Sequence, residues 1–194
     1  MEKIEKYWEG EIVADAAETQ EIDIRTTEHE NGVIASRSTY ENGLRIGVYT
    51  EFDDQGNIIA GALYDMGKKI AEGITNAQGK RNGMWRQYYE SGALKSEGAF
   101  EKGNRMGQWQ FFAETGELIQ EGNYKDGLFH GNWKWYYLDG SLHRDESYRN
   151  GKPDGMFQEW DRDGNTLVEG EYVFGTKQGL WIMDVNDHRE EGRY

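Results

Sequence analysis

The chain has 194 residues, a formal net charge of −14, 26 glycines, one proline and no cysteine. Without cysteine there is no disulfide framework and no thiolate-held metal, and so acidic a chain is repelled by nucleic acid and by anionic membrane surfaces. Aromatics at 13% of residues set it apart from disordered chains, which are poor in rings.

Residues 1–20 begin MEKIEKYWEGEIV and lack the apolar segment of a signal peptide. A terminal cap, helical or strand, is expected there. No run of the chain approaches the 18 or more apolar residues of a membrane span, so cytoplasmic residence and no membrane contact are expected. Residues 21–82 read as irregular hairpins. Ile22, Ile24 and Thr26 alternate as a half-buried strand does, and Asn31-Gly32 marks a turn after them. Glu41 to Gly47 (ENGLRIG) is a second connection, followed by the rings of Tyr49 and Phe52. The 36 residues from Gly47 to Gly83 are half as long again as the repeat that follows. That excess implies an additional strand from Lys68 to Asn76 after a Met66-Gly67 turn.

Residues 83–194 repeat with a period of 24, from Gly83, Gly107, Gly131, Gly155 and Gly179. Two positions on stand Trp85, Trp109, Trp133, Phe157 and Trp181; five on, Tyr88, Phe112, Tyr136 and Trp160, with Asp184 departing in the last copy. A glycine occupies position nine (Gly92, Gly116, Gly140, Gly164) and an acid position fourteen (Glu97, Glu121, Asp145, Glu169). Rings at seventeen (Phe100, Tyr124, Tyr148, Tyr172) and glycines at twenty (Gly103, Gly127, Gly151, Gly175) complete the copy. Self-similarity at this period marks a repeat array, each copy stacking on its neighbours.

Each copy reads as a β-hairpin. An X-Gly pair at its turn centre (Ser91-Gly92, Thr115-Gly116, Asp139-Gly140, Asp163-Gly164) suits a tight turn with positive φ. Paired positions then sum to seventeen, so Trp85 faces Gly98, Trp109 faces Gly122 and Phe157 faces Gly170, each ring covering the bare backbone opposite. The shortened last copy keeps this register if Trp181 pairs with Gly192 around an Asn186-Asp187 turn. Alternation puts the aromatics at two and seventeen and the leucines at eleven (Leu94, Leu118, Leu142) on one apolar face. The aromatics at five and the acids at fourteen share the other, with Arg86, Gln110, Lys134 and Gln158 opposite the acids. The Gly103–Gly107 and Gly127–Gly131 spacings are read as loops. The fold expected is all-β, an elongated and twisted antiparallel meander of about fifteen strands, continuous over residues 83–194.

The pattern GxWxxYYxxGxLxxEGxYxxGxxxG resembles the bacterial variant of the MORN repeat, closely over Gly83–Tyr194 and loosely over Gly32–Gly67. The resemblance includes YwqK-like antitoxins, immunity partners of toxins, and implies a non-enzymatic module that binds and occludes a cognate toxin. A structural scaffold that self-associates through its end strands or binds lipid headgroups is the alternative, since repeats of this type occur in both settings.

No GxSxG, P-loop or dinucleotide fingerprint is present. His29, His130, His143 and His188 have no metal or triad spacing, and His130 is placed in a connection. Asp161-Arg162-Asp163-Gly164-Asn165 opens like a calcium loop, but Thr166 and Tyr172 stand where that loop needs Gly and Glu, so it reads as a hairpin turn. No cofactor or metal is expected. The residues left to carry function are the rings Tyr88, Phe112, Tyr136 and Trp160, read either as core of a coiled sheet or as a partner-facing platform, and the acids Glu97, Glu121, Asp145 and Glu169, read either as cross-strand pairs or as a strip for a partner. Together they suit a basic protein partner, through charge steering and aromatic anchoring.

Overall fold

The computed structural model describes residues 3–6, 21–76, 78–185 and 188–194. Sixteen strands and no helix lie among them. Two compact units divide the chain, Met1–Gly92 and Ala93–Tyr194. The first holds β1 (Lys3–Lys6), β2 (Ile22–Glu28), β3 (Ile34–Glu41), β4 (Leu44–Phe52), β5 (Ile58–Asp65), β6 (Lys68–Thr75) and β7 (Arg81–Tyr88). The second holds β8 (Leu94–Glu101), β9 (Asn104–Phe112), β10 (Leu118–Lys125), β11 (Leu128–Tyr136) and β12 (Leu142–Arg149). It continues with β13 (Lys152–Trp160), β14 (Thr166–Val173), β15 (Thr176–Val185) and β16 (His188–Arg193). Within each unit the strands pair antiparallel in chain order, an open meander of the kind expected. The additional strand is β6, which follows the Met66-Gly67 turn. Of residues 1–20 only Lys3–Lys6 fall within the described residues, as a strand paired with β2. The Asn186-Asp187 turn lies outside the described residues, although the Trp181–Gly192 pairing that brackets it is present.

Two kinds of turn alternate along each meander. At position nine the turn is wider than a two-residue centre. The amide of Gly116 donates to the Ala113 carbonyl at 3.0 Å and the amide of Ala113 to the Glu117 carbonyl at 2.8 Å. Glu114 and Thr115 are therefore the turn centre, and Gly116, at φ +104°, closes the loop in a conformation that Cβ-bearing residues avoid. The same bonds recur at Asp53–Gly56, Tyr137–Gly140 and Asp161–Gly164. The expected X-Gly turn centre is thus corrected to a three-residue loop.

That loop adds half a residue to each side, and a β-bulge absorbs it. Trp109 pairs with Gly122 as expected, while nearer the turn Phe112 pairs with Leu118, one residue out of step. The bulge reverses the alternation, so the expectation for position eleven fails. Leu118 and Leu142 pair with Phe112 and Tyr136 and share the face of the aromatics at five.

The tight two-residue turns sit at position twenty instead. Asn42, Met66, Lys102, Asp126, Asn150 and Phe174 have φ between +44° and +54°, each followed by a left-handed glycine. This is the primed turn that matches strand twist. The segments read as GxxxG loops are corrected accordingly: a two-residue turn leads directly into a strand, as Lys102-Gly103 leads into β9.

The core is a ladder of rings on one face of the sheet. Trp109 and Trp133 are 0% exposed, and Tyr124 stands edge-on between them, 6.0 Å from the first and 5.0 Å from the second. Phe129 stacks on Trp133 at 3.8 Å. Each fully buried side chain of this size contributes on the order of 2–3 kcal/mol.

The glycine beneath each indole is the one on the preceding strand, across the connection, which corrects the expectation that the ring covers its own hairpin's glycine. A Cβ on Gly98 would lie 2.4 Å from Trp109, one on Gly122 2.2 Å from Trp133, and one on Gly170 2.2 Å from Trp181. The ladder breaks just beyond each contact, and the indole repairs it. Trp109 Nε1 donates to the Ala99 carbonyl at 3.0 Å, Trp133 Nε1 to Asn123 at 3.0 Å and Trp181 Nε1 to Glu171 at 3.2 Å. In the first unit Trp85 sits on Gly73 and donates to Ile74 at 2.9 Å in the same way. Above the indole lies the residue four positions earlier: Arg81 over Trp85 at 4.7 Å, Arg105 over Trp109 at 4.4 Å, and Lys177 over Trp181 at 4.2 Å.

Gly122→Ala is expected to lower stability by roughly 1–3 kcal/mol, the usual cost of overpacking, with a matching change in tryptophan fluorescence during urea denaturation. Phe174→Asn is expected to act in the opposite direction. Phe174 is exposed and holds φ +50°, a conformation that costs a bulky residue about 1 kcal/mol or more and that asparagine tolerates. A urea midpoint above wild type checks it.

Candidate partner-binding face

The face opposite the tryptophan ladder is organised by cross-strand register. In the second unit one residue per strand lines up as Glu97, Gln110, Glu121, Lys134, Asp145, Gln158, Glu169, Ile182 and Glu191. Acids alternate with other residues because each repeat contributes its position fourteen on one strand and its position three on the next. Alternate strands lie roughly 9.5 Å apart, about a Debye length at physiological salt. Neighbouring carboxylates therefore repel weakly, while together they present five acids and one lysine in a line.

All four acids named from the sequence are half-buried, as are the rings Phe112, Tyr136 and Trp160 beside them. Tyr88, in the first unit, is half-buried too. The rings are neither a free platform nor a sealed core. Phe112 pairs with Leu118, Tyr136 with Leu142 and Trp160 with Thr166 on the adjoining strand.

Gln110, placed opposite Glu121 by spacing, donates from Nε2 to Glu121 Oε2 at 3.3 Å. Spacing did not indicate the tyrosine partner: Tyr136 Oη, from the following repeat, donates to Glu121 Oε1 at 2.7 Å. In the first unit Tyr88 Oη donates to Glu72 Oε1 at 2.5 Å and Lys69 Nζ to Glu72 Oε2 at 2.7 Å. Glu72 was absent from the residues chosen by spacing, because the additional strand displaces it from the period. Its signal in the chain is the Glu-Gly pair at 72–73, repeated at 97–98, 121–122 and 169–170. The Lys69 ammonium, followed by the Tyr88 hydroxyl, holds the Glu72 carboxyl below the ordinary carboxylate range. Burial, and after it the Glu121 carboxylate, pushes the Tyr136 hydroxyl up from 10 to about 12.

The histidines are dispersed. His29 Nε2 is 2.9 Å from the Phe52 carbonyl in the first unit. In the second, His143 Nε2 is 3.4 Å from Glu159 Oε1. His130 lies within β11, not in a connection, and His188 begins β16. Among the described residues no group of three or more His, Asp or Glu is arranged to hold a metal ion. The calcium-like segment is a hairpin turn, its Asp161 Oδ1 accepting from the amides of Asp163 and Asn165 at 2.9 and 2.8 Å. None of the described helices or strands is a helix long and apolar enough to cross a membrane.

Residues 81–102, 107–126 and 129–150 match the family model described as the MORN repeat variant. These three segments are similar to that repeat. No curated protein matches the chain. The matched segments fall on the copies in which an indole sits on the preceding strand's glycine, at Trp85, Trp109 and Trp133. Trp181, outside the matched segments, sits on Gly170 in the same way.

The tyrosine contact on this face has a pH signature. The folded pKa of Tyr136 lies above that of an unfolded tyrosine, so the fold favours the neutral hydroxyl. Its contribution is complete below pH 10 and is lost as pH rises through about 12. Wild type is expected to lose thermal stability more steeply than Tyr136→Phe across that window, and thermal melts at stepped alkaline pH read the difference.

Proposed function

We propose that this chain is a non-enzymatic protein-binding module whose polar face occludes a basic partner, and that the partner is a cognate toxin for which the chain serves as antitoxin or immunity protein. The observation that carries the reading is the cross-strand line of acids with a single lysine, flanked by half-buried rings, on the face the core leaves free. MORN repeats at three segments support a binding role of the repeat type. The net charge of −14 favours a basic surface and raises its association rate at low salt. Phe112, Tyr136 and Trp160 supply the aromatic anchors on which interface energy concentrates. The scaffold reading finds less support: β16 reads His-Arg-Glu-Glu-Gly-Arg, and charged residues on an end strand discourage end-to-end pairing.

Co-expression with the product of the neighbouring reading frame, followed by binding kinetics, tests the proposal. Glu121→Gln with Glu169→Gln is expected to slow association several-fold and flatten its salt dependence. Trp160→Ala with Tyr136→Ala is expected to speed dissociation at least tenfold, a loss of about 1.4 kcal/mol or more. Thermal melts of the free variants separate this from unfolding. A neighbour that is harmless when expressed alone and does not bind removes the antitoxin reading.

A further inference from the structure

The junction of the third and fourth copies breaks the glycine–indole rule at two places that touch. Position fifteen is glycine at Gly98, Gly122 and Gly170 but glutamate at Glu146, and the ring that follows is Phe157 where the others are tryptophan. Glu146 pairs with Phe157 on the next strand and is 3% exposed in the middle of the ring ladder. Its carboxylate binds the Arg144 guanidinium and accepts from Tyr148 Oη at 2.8 Å. Arg144 in turn lies over Trp135 at 4.6 Å and over Phe157 at 5.1 Å. Pro153 takes the place of the cation or ring that covers the indole elsewhere, and a phenyl ring has no N–H to repair the ladder.

We infer that Glu146 and Phe157, with Arg144, are a register key that tells β12 which strand must follow it. A meander of near-identical copies has a characteristic fault, in which a strand pairs with the equivalent strand of another copy and the intervening hairpin is looped out. Leaving out a few tens of residues as a loop carries only a slowly growing entropic cost. The glycine sites do not discriminate, since any indole fits over any of them. Glu146 does discriminate. At the three glycines of this unit even a Cβ would stand 2.2–2.4 Å from the following indole, so a glutamate there excludes β9, β11 and β15 as the next strand and accepts β13. The buried ion pair adds a penalty to the wrong pairing, because a displaced β13 takes away Phe157, one of the two rings that Arg144 covers. Buried polar groups that specify register at some cost in stability are well attested in coiled coils.

The chain has no cysteine, so a single introduced disulfide reports the pairing. In the native register Asp145 pairs with Gln158, and Ile182 with Glu169. If β15 took the place of β13, Ile182 would take the place of Gln158 beside Asp145. Asp145→Cys with Ile182→Cys is therefore placed in the wild-type background and in one carrying Arg144→Gln, Glu146→Gly and Phe157→Trp, which copies the second MORN repeat. Both are refolded from urea in oxidised glutathione, and the 145–182 disulfide is quantified by peptide mapping. The expected result is at least a threefold higher yield in the copied background. Equal yields, including none in either, overturn the proposal. Phe157→Trp alone provides an independent test that needs no misfolded state. It is expected to lower the melting midpoint by roughly 5 °C, with recovery when Glu146→Gly and Arg144→Gln are added. An unchanged midpoint shows that Glu146 tolerates an indole and overturns the key.

Discussion

An indole lying flat on a glycine of the preceding strand is the contact on which the array depends. It buries the largest side chain available, and it needs the smallest residue beneath it. It also satisfies a carbonyl that the bulged ladder leaves open, through Trp109 Nε1 to Ala99 and Trp133 Nε1 to Asn123. Hydrophobic burial, steric fit and hydrogen bonding thus coincide at one residue pair per repeat. The cation or ring above each indole, such as Arg105 or Phe129, closes the other side. Among the described residues the core side chains cover one another, copy by copy.

Because the core occupies one face, the other is available for recognition. Its chemistry follows from the same register. The pairing that places Trp109 beside Gly122 also places Gln110 beside Glu121, so acids must fall in a line across the strands. The β-bulge then brings the leucines at eleven onto that face, where they support the rings from below. The tyrosine hydroxyls bound to Glu121 and Glu72 orient acid and ring together, so the two features act as one surface.

Regularity has a cost that the junction of the third and fourth copies addresses. Identical copies make identical contacts, and identical contacts cannot distinguish a correct neighbour from an equivalent one. Glu146, Arg144 and Phe157 give up the indole lock at a single step and make that step unlike the rest. Phe174 is a second departure, a bulky residue in a left-handed turn position where the neighbouring copies place Lys102, Asp126 and Asn150.

The chain by itself determined the all-β class, the 24-residue period, the pairing of Trp109 with Gly122 and the additional strand at Lys68, because each rests on spacing, and spacing survives without coordinates. The position of the acids on one face was legible for the same reason. Three matters were decided only by tertiary structure. Where the turn places its extra residue settled the face of Leu118 and Leu142, and sequence alternation is blind to a bulge. Which of two flanking glycines lies under the indole depended on the ring's tilt toward the preceding strand. Finally, the tyrosine partners of Glu72 and Glu121 come from a neighbouring hairpin and approach only when the strands are laid side by side.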